Sequence, residues 1–269
     1  MSQSAATPLN DDTWQVPKFT QSTFGQRCHD VALVIPVINE GDRVRNQLKR
    51  IQTVAASVDV VIADGGSTDG SLDSEFLAAT GVRALLTKTG PGKLSAQLRM
   101  AYSWCLQEGY EGIVTIDGNG KDGVSAVDGM VDKLRDGFDY VQGSRYLPGG
   151  NAQNTPLERT IANRLLHAPL LSLAGKHRYT DTTNGFRAYS SRYLLDSRVQ
   201  PFRDVFQNYE LLFYLTVRAG QIGMQVGHLP VDRRYVSNAK IPTKIDSRAK
   251  QLAVLRQTFS AAFGRFSPN

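Results

Sequence analysis

The chain has 269 residues, of which 41% are apolar, and 31 Lys and Arg residues against 25 Asp and Glu residues give it a net charge of +6. That length is sufficient for one large α/β domain with a packed core, and no apolar stretch is long enough to cross a bilayer. Cys28 and Cys105 form neither a disulfide pattern nor a metal-ligand spacing, and the polar start is not that of a signal peptide, so we expect a cytoplasmic protein.

Apolar runs of strand length alternate with amphipathic stretches through the first half of the chain. In chain order, the pattern predicts a strand over 31–37, a helix over 42–57, a strand over 58–63, a helix ending at 80, a strand over 82–87, a helix over 93–108, a strand over 112–116, a helix over 124–135 and a strand over 140–144. The second half is more helical, over 157–173 and 209–220, before a strand near 224–230. This alternation predicts an α/β fold with a mostly parallel central sheet flanked by helices.

The two ends of the chain differ from this pattern. Residues 1–29 are expected to form an irregular lead-in to a domain over 30–245, and residues 246–269 a basic C-terminal helix or tail. Six basic residues crowd into 18 positions: Arg233, Arg234, Lys240, Lys244, Arg248 and Lys250. Such a segment is either a solvated surface or a contact for a polyanion, namely a nucleotide diphosphate, an anionic membrane surface or nucleic acid.

Polar segments follow the predicted strands at 39–40, 64–69, 117–122 and 145–146. Because ligands of parallel α/β sheets bind beyond the carboxyl ends of the strands, these segments are the candidate site. Glu40 and Asp64 follow two neighbouring strands and are candidate ligand-binding carboxylates. Alternatively, Glu40 is a charge that complements a helix N-terminus, and Asp64 is a turn residue that bonds its own backbone. Ser67, Thr68 and Asp69 are expected to cap the following helix.

Six segments, taken in order, carry a resemblance to a known family. They are Ile35-Pro-Val-Ile-Asn-Glu40, Ile62-Ala-Asp-Gly-Gly-Ser-Thr-Asp-Gly70, Thr115-Ile-Asp-Gly-Asn119, Gly143-Ser-Arg-Tyr146, Asp181-Thr-Thr-Asn-Gly-Phe-Arg187 and Arg234-Tyr-Val-Ser-Asn-Ala-Lys240. The first three resemble donor-site signatures of family 2 inverting glycosyltransferases. The last three are similar to those of dolichol-phosphate mannose synthases and bacterial polyprenyl-phosphate glycosyltransferases.

The resemblance implies a glycosyltransferase A-type fold over 30–245 that binds a nucleotide sugar. It implies transfer of a hexose or pentose to a polyprenyl or dolichyl phosphate, so that the protein would attach peripherally to a membrane. It also implies that Glu40 and Asp64 pair with the ribose and base of the donor, with Asn39 beside them and Pro36 fixing the turn.

Asp117 and Asn119 form an altered version of the acidic pair that holds Mg²⁺ or Mn²⁺ on a donor diphosphate. Asn119 replaces the second carboxylate, and Lys121 stands where related enzymes often have glutamine. Asp122 could add a ligand or pair with Lys121. The metal requirement is therefore in question, with Asp117 the expected catalytic and metal-binding residue.

Arginines can pair with phosphate oxygens in bidentate geometry, which makes several basic residues candidates. Matching positions favour Arg145 as catalytic and Arg234 and Lys240 as donor-binding residues; further candidates are Arg159 and Arg187. Asp181 is the expected acceptor-side carboxylate. It would act as general base if the acceptor is a hydroxyl, whereas a lipid phosphate is already anionic and needs no strong base.

Three alternative functions remain open from the sequence. The chain could glycosylate a saccharide or a hydroxylated nucleic-acid base, because basic charge alone does not separate a lipid phosphate from DNA. It could be a nucleotide-sugar-binding module that has lost catalysis, as the altered metal motif suggests. A nucleic-acid-binding protein without chemistry is disfavoured by the absence of a recognisable motif and by the scarcity of aromatics among the basic residues of the tail.

Overall fold

The structure is a computed structural model that describes residues 13–235 and 248–268. Its strands are β1 Phe19–Thr23, β2 Val31–Val37, β3 Asp59–Asp64, β4 Val82–Lys88, β5 Gly112–Thr115, β6 Tyr140–Ser144, β7 Asn151–Gln153, β8 Arg187–Ser190, β9 Val226–Pro230 and β10 Asp232–Arg234. Its helices are α1 Asp42–Val54, α2 Ser74–Ala79, α3 Leu94–Gln107, α4 Val127–Arg135, α5 Leu157–Ala162, α6 Ala168–Ala174, α7 Ser191–Leu195, α8 Glu210–Gln221 and α9 Arg248–Ala262. A π-helical turn, Asn163–His167, joins α5 to α6.

Eight strands form one sheet in the order β1-β4-β3-β2-β5-β8-β6-β9. The four strands from β4 to β5 are mutually parallel, and β6 is parallel to β9. The predicted mostly parallel sheet flanked by helices is confirmed. Two antiparallel strands add to it: β8 lies between β5 and β6, and β1 pairs with β4 at the edge. Residues 19–23, expected to be irregular, form β1 because its polar residues need only an edge position.

Helices cover both faces of the sheet. On one face, Leu98 and Tyr102 of α3 and Leu211 of α8 pack with Ala32 and Val34 of β2. The other cluster joins α1 and α4 to the alternate β2 residues, which are Val31, Leu33, Ile35 and Val37. Burial on both faces explains why the central strands are continuous apolar runs.

The strand order fixes the place of the site. The chain runs from β2 outward through β3 and β4, then returns to the other side of β2 as β5. Such a reversal leaves a crevice at the carboxyl ends of the strands on either side of it. The ends of β2, β3 and β5 carry the three predicted donor motifs.

Among the described residues, none of the helices is both long and apolar enough to span a bilayer. Helix α9 lies within the predicted basic C-terminal segment and packs against α8 and α6.

Candidate active site

Two loops at the ends of β2 and β3 are joined by side-chain to backbone hydrogen bonds. The Asn39 N–H donates to Ser67 Oγ (3.0 Å), and the Asn39 Oδ1 accepts from the Thr68 N–H (2.8 Å). The Gly41 N–H donates to Asp69 Oδ2 at 2.8 Å. Asn39 has a φ of 51°, a left-handed conformation that asparagine tolerates because its side chain bonds locally. The two loops therefore form one rigid rim.

The expectation that Ser67, Thr68 and Asp69 cap the next helix is wrong. Helix α2 begins only at Ser74, and Asp73 caps it by accepting a hydrogen bond from the Phe76 N–H at 2.9 Å. Asp-rich loops contain several residues able to cap, and the sequence does not show at which one the chain turns into helix.

Glu40 and Asp64 are both buried at the ends of adjacent strands, since Asp64 is the register partner of Val37. Asp64 Oδ1 accepts from the Ser67 N–H at 2.8 Å, so one of its oxygens stabilises the turn. Glu40 Oε2 is bound by Arg43, with 3.0 Å to Nε and 2.8 Å to Nη2. The structure thus brings the two predicted carboxylates to one edge of the sheet.

Pro36 lies within β2 and not in the turn where it was expected. It pairs with Ala63 of β3 and follows the last β2–β5 pair, Val34 with Thr115. Its missing N–H therefore removes no hydrogen bond from the ladder, which is the condition under which proline is accepted in a strand.

Two buried glutamines support the loops and were not singled out from the sequence. Gln97 Nε2 donates to the carbonyls of Val37 (2.9 Å) and Ala63 (3.0 Å), which ties the ends of β2 and β3 together. Gln47 Nε2 donates to the Asp117 carbonyl at 3.0 Å, and its Oε1 accepts from the Gly120 N–H at 2.9 Å. The only feature of the sequence that could have identified these glutamines is that each is a polar residue on the apolar face of a helix.

Asp117 and Asp122 both form ion pairs with the guanidinium of Arg233. Arg233 Nη2 lies 2.9 Å from Asp117 Oδ2, and Arg233 Nη1 lies 2.7 Å from both oxygens of Asp122. Asp122 and Arg233 are buried, while the Asp117 side chain remains 29% exposed. The expectation that Asp122 pairs with Lys121 is not met, because Arg233 holds both of its oxygens.

The electrostatics of this cluster keep Asp117 ionised. Burial alone would raise the pKa of Asp117, but the Arg233 guanidinium and the Lys121 ammonium outweigh it and lower that pKa. Burial lowers the pKa of Lys121, and the Arg233 charge lowers it further. The Lys121 ammonium lies 4.9 Å from the centre of the Tyr235 ring, within range of a cation–π contact.

Asn119 and Gly185 complete the surroundings of Asp117. Asn119 Nδ2 lies 3.4 Å from Asp117 Oδ2, and a Cβ at Gly185 would come within 2.4 Å of Asp117 Oδ1. The Asn-Gly turn of the fifth motif therefore packs directly against the third motif. Among the described residues, there is no cluster of three or more His, Cys, Asp or Glu side chains that could hold a metal by itself.

Arg145 and Asp181 form a buried bidentate ion pair. Arg145 Nε donates to Asp181 Oδ2 (2.7 Å) and Nη2 to Oδ1 (2.8 Å), and the Arg145 N–H also donates to Oδ2 (3.1 Å). Arg145 Nη2 further donates to Thr183 Oγ1 at 3.1 Å. Burial alone would lower the pKa of Arg145, but its hydrogen bonds to Asp181 raise it, so the guanidinium stays charged.

The fold places the remaining basic candidates in different environments. Arg187 lies in the core and donates to the carbonyls of Thr182 (2.7 Å) and Asn184 (2.9 Å), so its expected role in phosphate binding is wrong. Arg159 Nη1 lies 3.4 Å from the Tyr235 hydroxyl. Arg234 is exposed and its Nε donates to Gln153 Oε1, whereas Lys240 and Lys244 lie outside the described residues.

Comparisons with known proteins agree with the motifs. No protein-family model matches this chain. It is 27% identical over 202 residues to a polyprenol monophosphomannose synthase of Mycolicibacterium smegmatis, covering 74% of this chain and 75% of that protein. It is also 27% identical over 207 residues to an undecaprenyl-phosphate mannosyltransferase of Micrococcus luteus, covering 75% and 82%.

The fold is shared with a solved glycosyltransferase. The crystal structure of glucosyl-3-phosphoglycerate synthase from Mycobacterium tuberculosis superposes with a TM-score of 0.61 over 87% of this chain and 78% of that one, at 17% identity. This similarity concerns the architecture, which is the glycosyltransferase A type. The ordered motifs lie at the strand ends where this fold binds ligands, and the relatives match three quarters of the chain. In motifs and in fold, the chain is thus similar to the family 2 glycosyltransferases.

Proposed function

We propose that this enzyme transfers a hexose or pentose from a nucleotide-diphosphate sugar to a polyprenyl phosphate, with inversion at the anomeric carbon. The observation that supports a phosphate acceptor is the Arg145–Asp181 pair. A general base must reach the proton that it removes. Asp181 is fully buried and both of its oxygens accept hydrogen bonds from Arg145, which suits an acceptor that is already anionic.

The nucleoside of the donor is proposed to bind at the rim formed by the β2 and β3 loops. Glu40 and Asp64 provide carboxylate acceptors there for the ribose hydroxyls and a base N–H, and Asn39 holds the two loops together. Gln97 and Gln47 keep the loops in place from below. This arrangement binds the donor on elements that are already ordered.

The diphosphate is proposed to lie next to Asp117. Its developing charge can be stabilised by the guanidinium of Arg233, the ammonium of Lys121, Arg234 at the end of β10 and, further along the chain, Lys240. Arg145, fixed by Asp181, would hold the acceptor phosphate in line with the anomeric carbon. Asp181 is then a positioning residue.

A divalent cation fits this site through few protein ligands. Arg233 and Asn119 both contact Asp117 Oδ2, which leaves Asp117 Oδ1 for a metal. Asp117 Oδ1 and the side-chain amide oxygen of Asn119 are the protein oxygens that would hold Mg²⁺ or Mn²⁺. When bound, the ion would supply positive charge to the departing nucleotide diphosphate. Because the protein contributes little, donor phosphate oxygens would complete the coordination.

The direct test is transfer by purified protein from a panel of nucleotide sugars to three acceptors: a polyprenyl phosphate, the corresponding polyprenol, and a saccharide. We expect product only with the phosphate. Transfer to the polyprenol or the saccharide would contradict the proposed acceptor. Arg145→Ala should abolish transfer while Arg135→Ala, on the exposed end of α4, serves as the matched control.

One observation favours a second candidate, a module that binds nucleotide sugars without transferring them. Asn119 removes one carboxylate from the metal motif, and Lys121 and Arg233 place positive charge beside Asp117. The same panel decides between the two, because a module would be stabilised by a nucleotide sugar yet yield neither transfer nor donor hydrolysis.

A further inference from the structure

Tyr235 is a buried aromatic residue with three cations around its ring. Its side chain is almost fully buried at the end of β10. The ring centre lies 4.9 Å from the Lys121 ammonium, 5.7 Å from the guanidinium carbon of Arg233 and 5.8 Å from that of Arg159. All three distances are within the range of a cation–π contact. In the part of the chain that the structure describes, no other ring has three cations this close.

The cations around the ring come from both sides of the proposed site. Lys121 lies in the loop after β5, which carries the metal motif, whereas Arg159 lies in α5. Arg159 Nη1 is also 3.4 Å from the hydroxyl of the same ring. The next residue of α5, Thr160, accepts a hydrogen bond at Oγ1 from the hydroxyl of Tyr146 (3.3 Å), which directly follows Arg145. The ring therefore lies between the donor side and the acceptor side.

The backbone of β10 fixes the ring relative to both sides. The Arg234 N–H donates to the Lys121 carbonyl at 2.8 Å, and the Tyr235 N–H donates to the Gln153 carbonyl at the end of β7 (3.0 Å). Asn154 Nδ2 donates to the Tyr235 carbonyl at 3.1 Å. Both backbone polar groups of Tyr235 are thus hydrogen-bonded, so the place of the ring is set by the fold itself.

The ring gives these cations a shared partner of opposite polarity. The ammonium of Lys121 and the guanidinium carbons of Arg233 and Arg159 lie within 5.8 Å of one ring centre, and like charges near one another repel. The face of an aromatic ring carries negative partial charge, which attracts a cation and favours one arrangement of a long, flexible side chain. Removing the ring is therefore expected to change the separation between the Lys121 ammonium and the Arg159 guanidinium.

We propose that Tyr235 is a positioning residue for sugar transfer, whose ring holds Lys121 on the donor side and Arg159 on the acceptor side at a fixed separation. The inference rests on the proposed function, in which the diphosphate lies beside Asp117 and the acceptor phosphate beside Arg145. In-line displacement requires the reacting atoms to lie about 3–3.5 Å apart, and a misplacement of about 1 Å costs about 100-fold in rate. Tyr235 is buried and acts through the cations.

Transfer kinetics of the full chain with Tyr235→Phe and Tyr235→Leu test this role. Tyr235→Phe keeps the ring and loses only the long contact of the hydroxyl, so its kcat should stay within roughly threefold of the wild type. Tyr235→Leu removes the ring and should lower kcat at least about tenfold. The affinity for nucleoside diphosphate, measured by isothermal titration, should change little in either variant. Wild-type kcat in Tyr235→Leu, or equal losses in both variants, would overturn the proposal.

Tyr110→Leu is the matched control. Tyr110 is also almost fully buried, and the guanidinium carbons of Arg83 and Arg27 lie 5.3 Å and 5.8 Å from its ring centre, at the opposite end of β5 from the site. Tyr110→Leu should lose stability to urea and keep the wild-type kcat. Equal losses of kcat in Tyr110→Leu and Tyr235→Leu would overturn the proposal. If Tyr235→Leu does not fold, Tyr235→Met replaces it with the same expectation.

A double-mutant cycle tests whether Tyr235 acts through the cations. In a chain that carries Lys121→Met and Arg159→Met, Tyr235→Leu should lower the single-turnover rate by less than about threefold, because the side chains that the ring positions are absent. The same loss with and without the two cations would overturn the proposal.

The choice of acceptor keeps this inference separate from the proposed function. Transfer only to the polyprenol or the saccharide would contradict the proposed acceptor, yet a loss of kcat in Tyr235→Leu and not in Tyr235→Phe would still support positioning by the ring. Transfer to the polyprenyl phosphate with the same kcat in all Tyr235 variants would have the opposite meaning. An enzyme that transfers to none of the acceptors would contradict both.

Discussion

Arg233 and Asp117 form an ion pair at 2.9 Å in the position that the sequence assigns to a metal ion. The same guanidinium contacts both oxygens of Asp122, so one fixed cation is shared by two carboxylates. A divalent ion that binds the donor must therefore share Asp117 with Arg233. Arg233 thus places a fixed cation beside Asp117 whose presence does not depend on metal concentration.

Arg233→Met should destabilise the protein strongly. It leaves the Asp122 carboxyl buried without its partner, and breaking a buried pair in this way typically costs about 3–5 kcal/mol. Adding Asp122→Asn should recover part of that loss, because the buried charge is removed. The free energy of unfolding in urea measures both effects. Arg135→Met, which breaks an exposed pair with Asp132, should cost less than about 1 kcal/mol; equal losses would contradict the assigned role of Arg233.

Turnover should require a divalent cation even though the motif is altered. We expect activity to fall in EDTA and to return with Mg²⁺ or Mn²⁺, in the wild type and in Lys121→Gln alike. Asn119→Asp should lower the metal concentration needed for half-maximal activity, because a second carboxylate adds charge to the ligand set. Full wild-type activity in EDTA would refute the metal requirement, and loss of the metal response in Asn119→Asp would contradict the ligand assignment.

Asp64→Ala should weaken nucleotide binding while the protein remains folded. Loss of a hydrogen bond to a charged group costs about 1.5–3 kcal/mol, or roughly 10- to 150-fold in affinity. Isothermal titration with the nucleoside diphosphate measures this change. Asp73→Ala is the control: it removes the cap of α2, outside the site, and should reduce stability by about 1 kcal/mol with unchanged affinity. Unchanged affinity in Asp64→Ala would rule out the donor assignment.

Asp181→Asn should lower kcat more than it changes the KM of the donor. The variant loses the charge that fixes Arg145, and small displacements of a positioning group cost about 100-fold in rate. Thr183→Val, which removes only the 3.1 Å bond to Arg145 Nη2, should have a smaller effect in the same direction. The pH–rate profile separates the two roles of Asp181. If Asp181 is a general base, Asp181→Asn should remove the fall in rate at low pH. If Asp181 is a positioning residue, that fall in rate should remain in the variant.

Stability should fall in mild acid because of His228. Its Nε2 lies 2.9 Å from His177 Nε2, and burial, with a smaller effect of His177, lowers the pKa of His228 to about 4. Since the unfolded value is near 6.5, the folded state favours the neutral ring. The stability contributed is complete above pH 6.5 and is lost as the pH falls towards 4, by about 1–3 kcal/mol after allowance for partial exposure. Urea unfolding at pH 7.5 and pH 5 should show a smaller decrease for His228→Gln; an equal decrease in both proteins would exclude His228 as the cause.

Sequence patterns were sufficient for the sheet and for the edge at which the site lies. Strands buried on both faces must be continuous apolar runs, and parallel strands bring their carboxyl ends to one edge. Glu40 and Asp64 could therefore be placed together from the ends of β2 and β3 alone. The sequence could not show that β8 enters the sheet antiparallel between β5 and β6, because a run of four residues carries no information about its direction.

Only the tertiary structure decided how the charged residues pair. Arg233 is 116 positions from Asp117, and Arg145 is 36 positions from Asp181. Each of these side chains could equally be paired or solvated when judged by its neighbours in the sequence. The choice depends on burial: a charge removed from water must find an opposite charge, and the fold determines which one is within reach. The sequence could therefore predict Asp117 as the centre of the candidate site. The cation beside it became known only from the packing of β10 against the loop after β5.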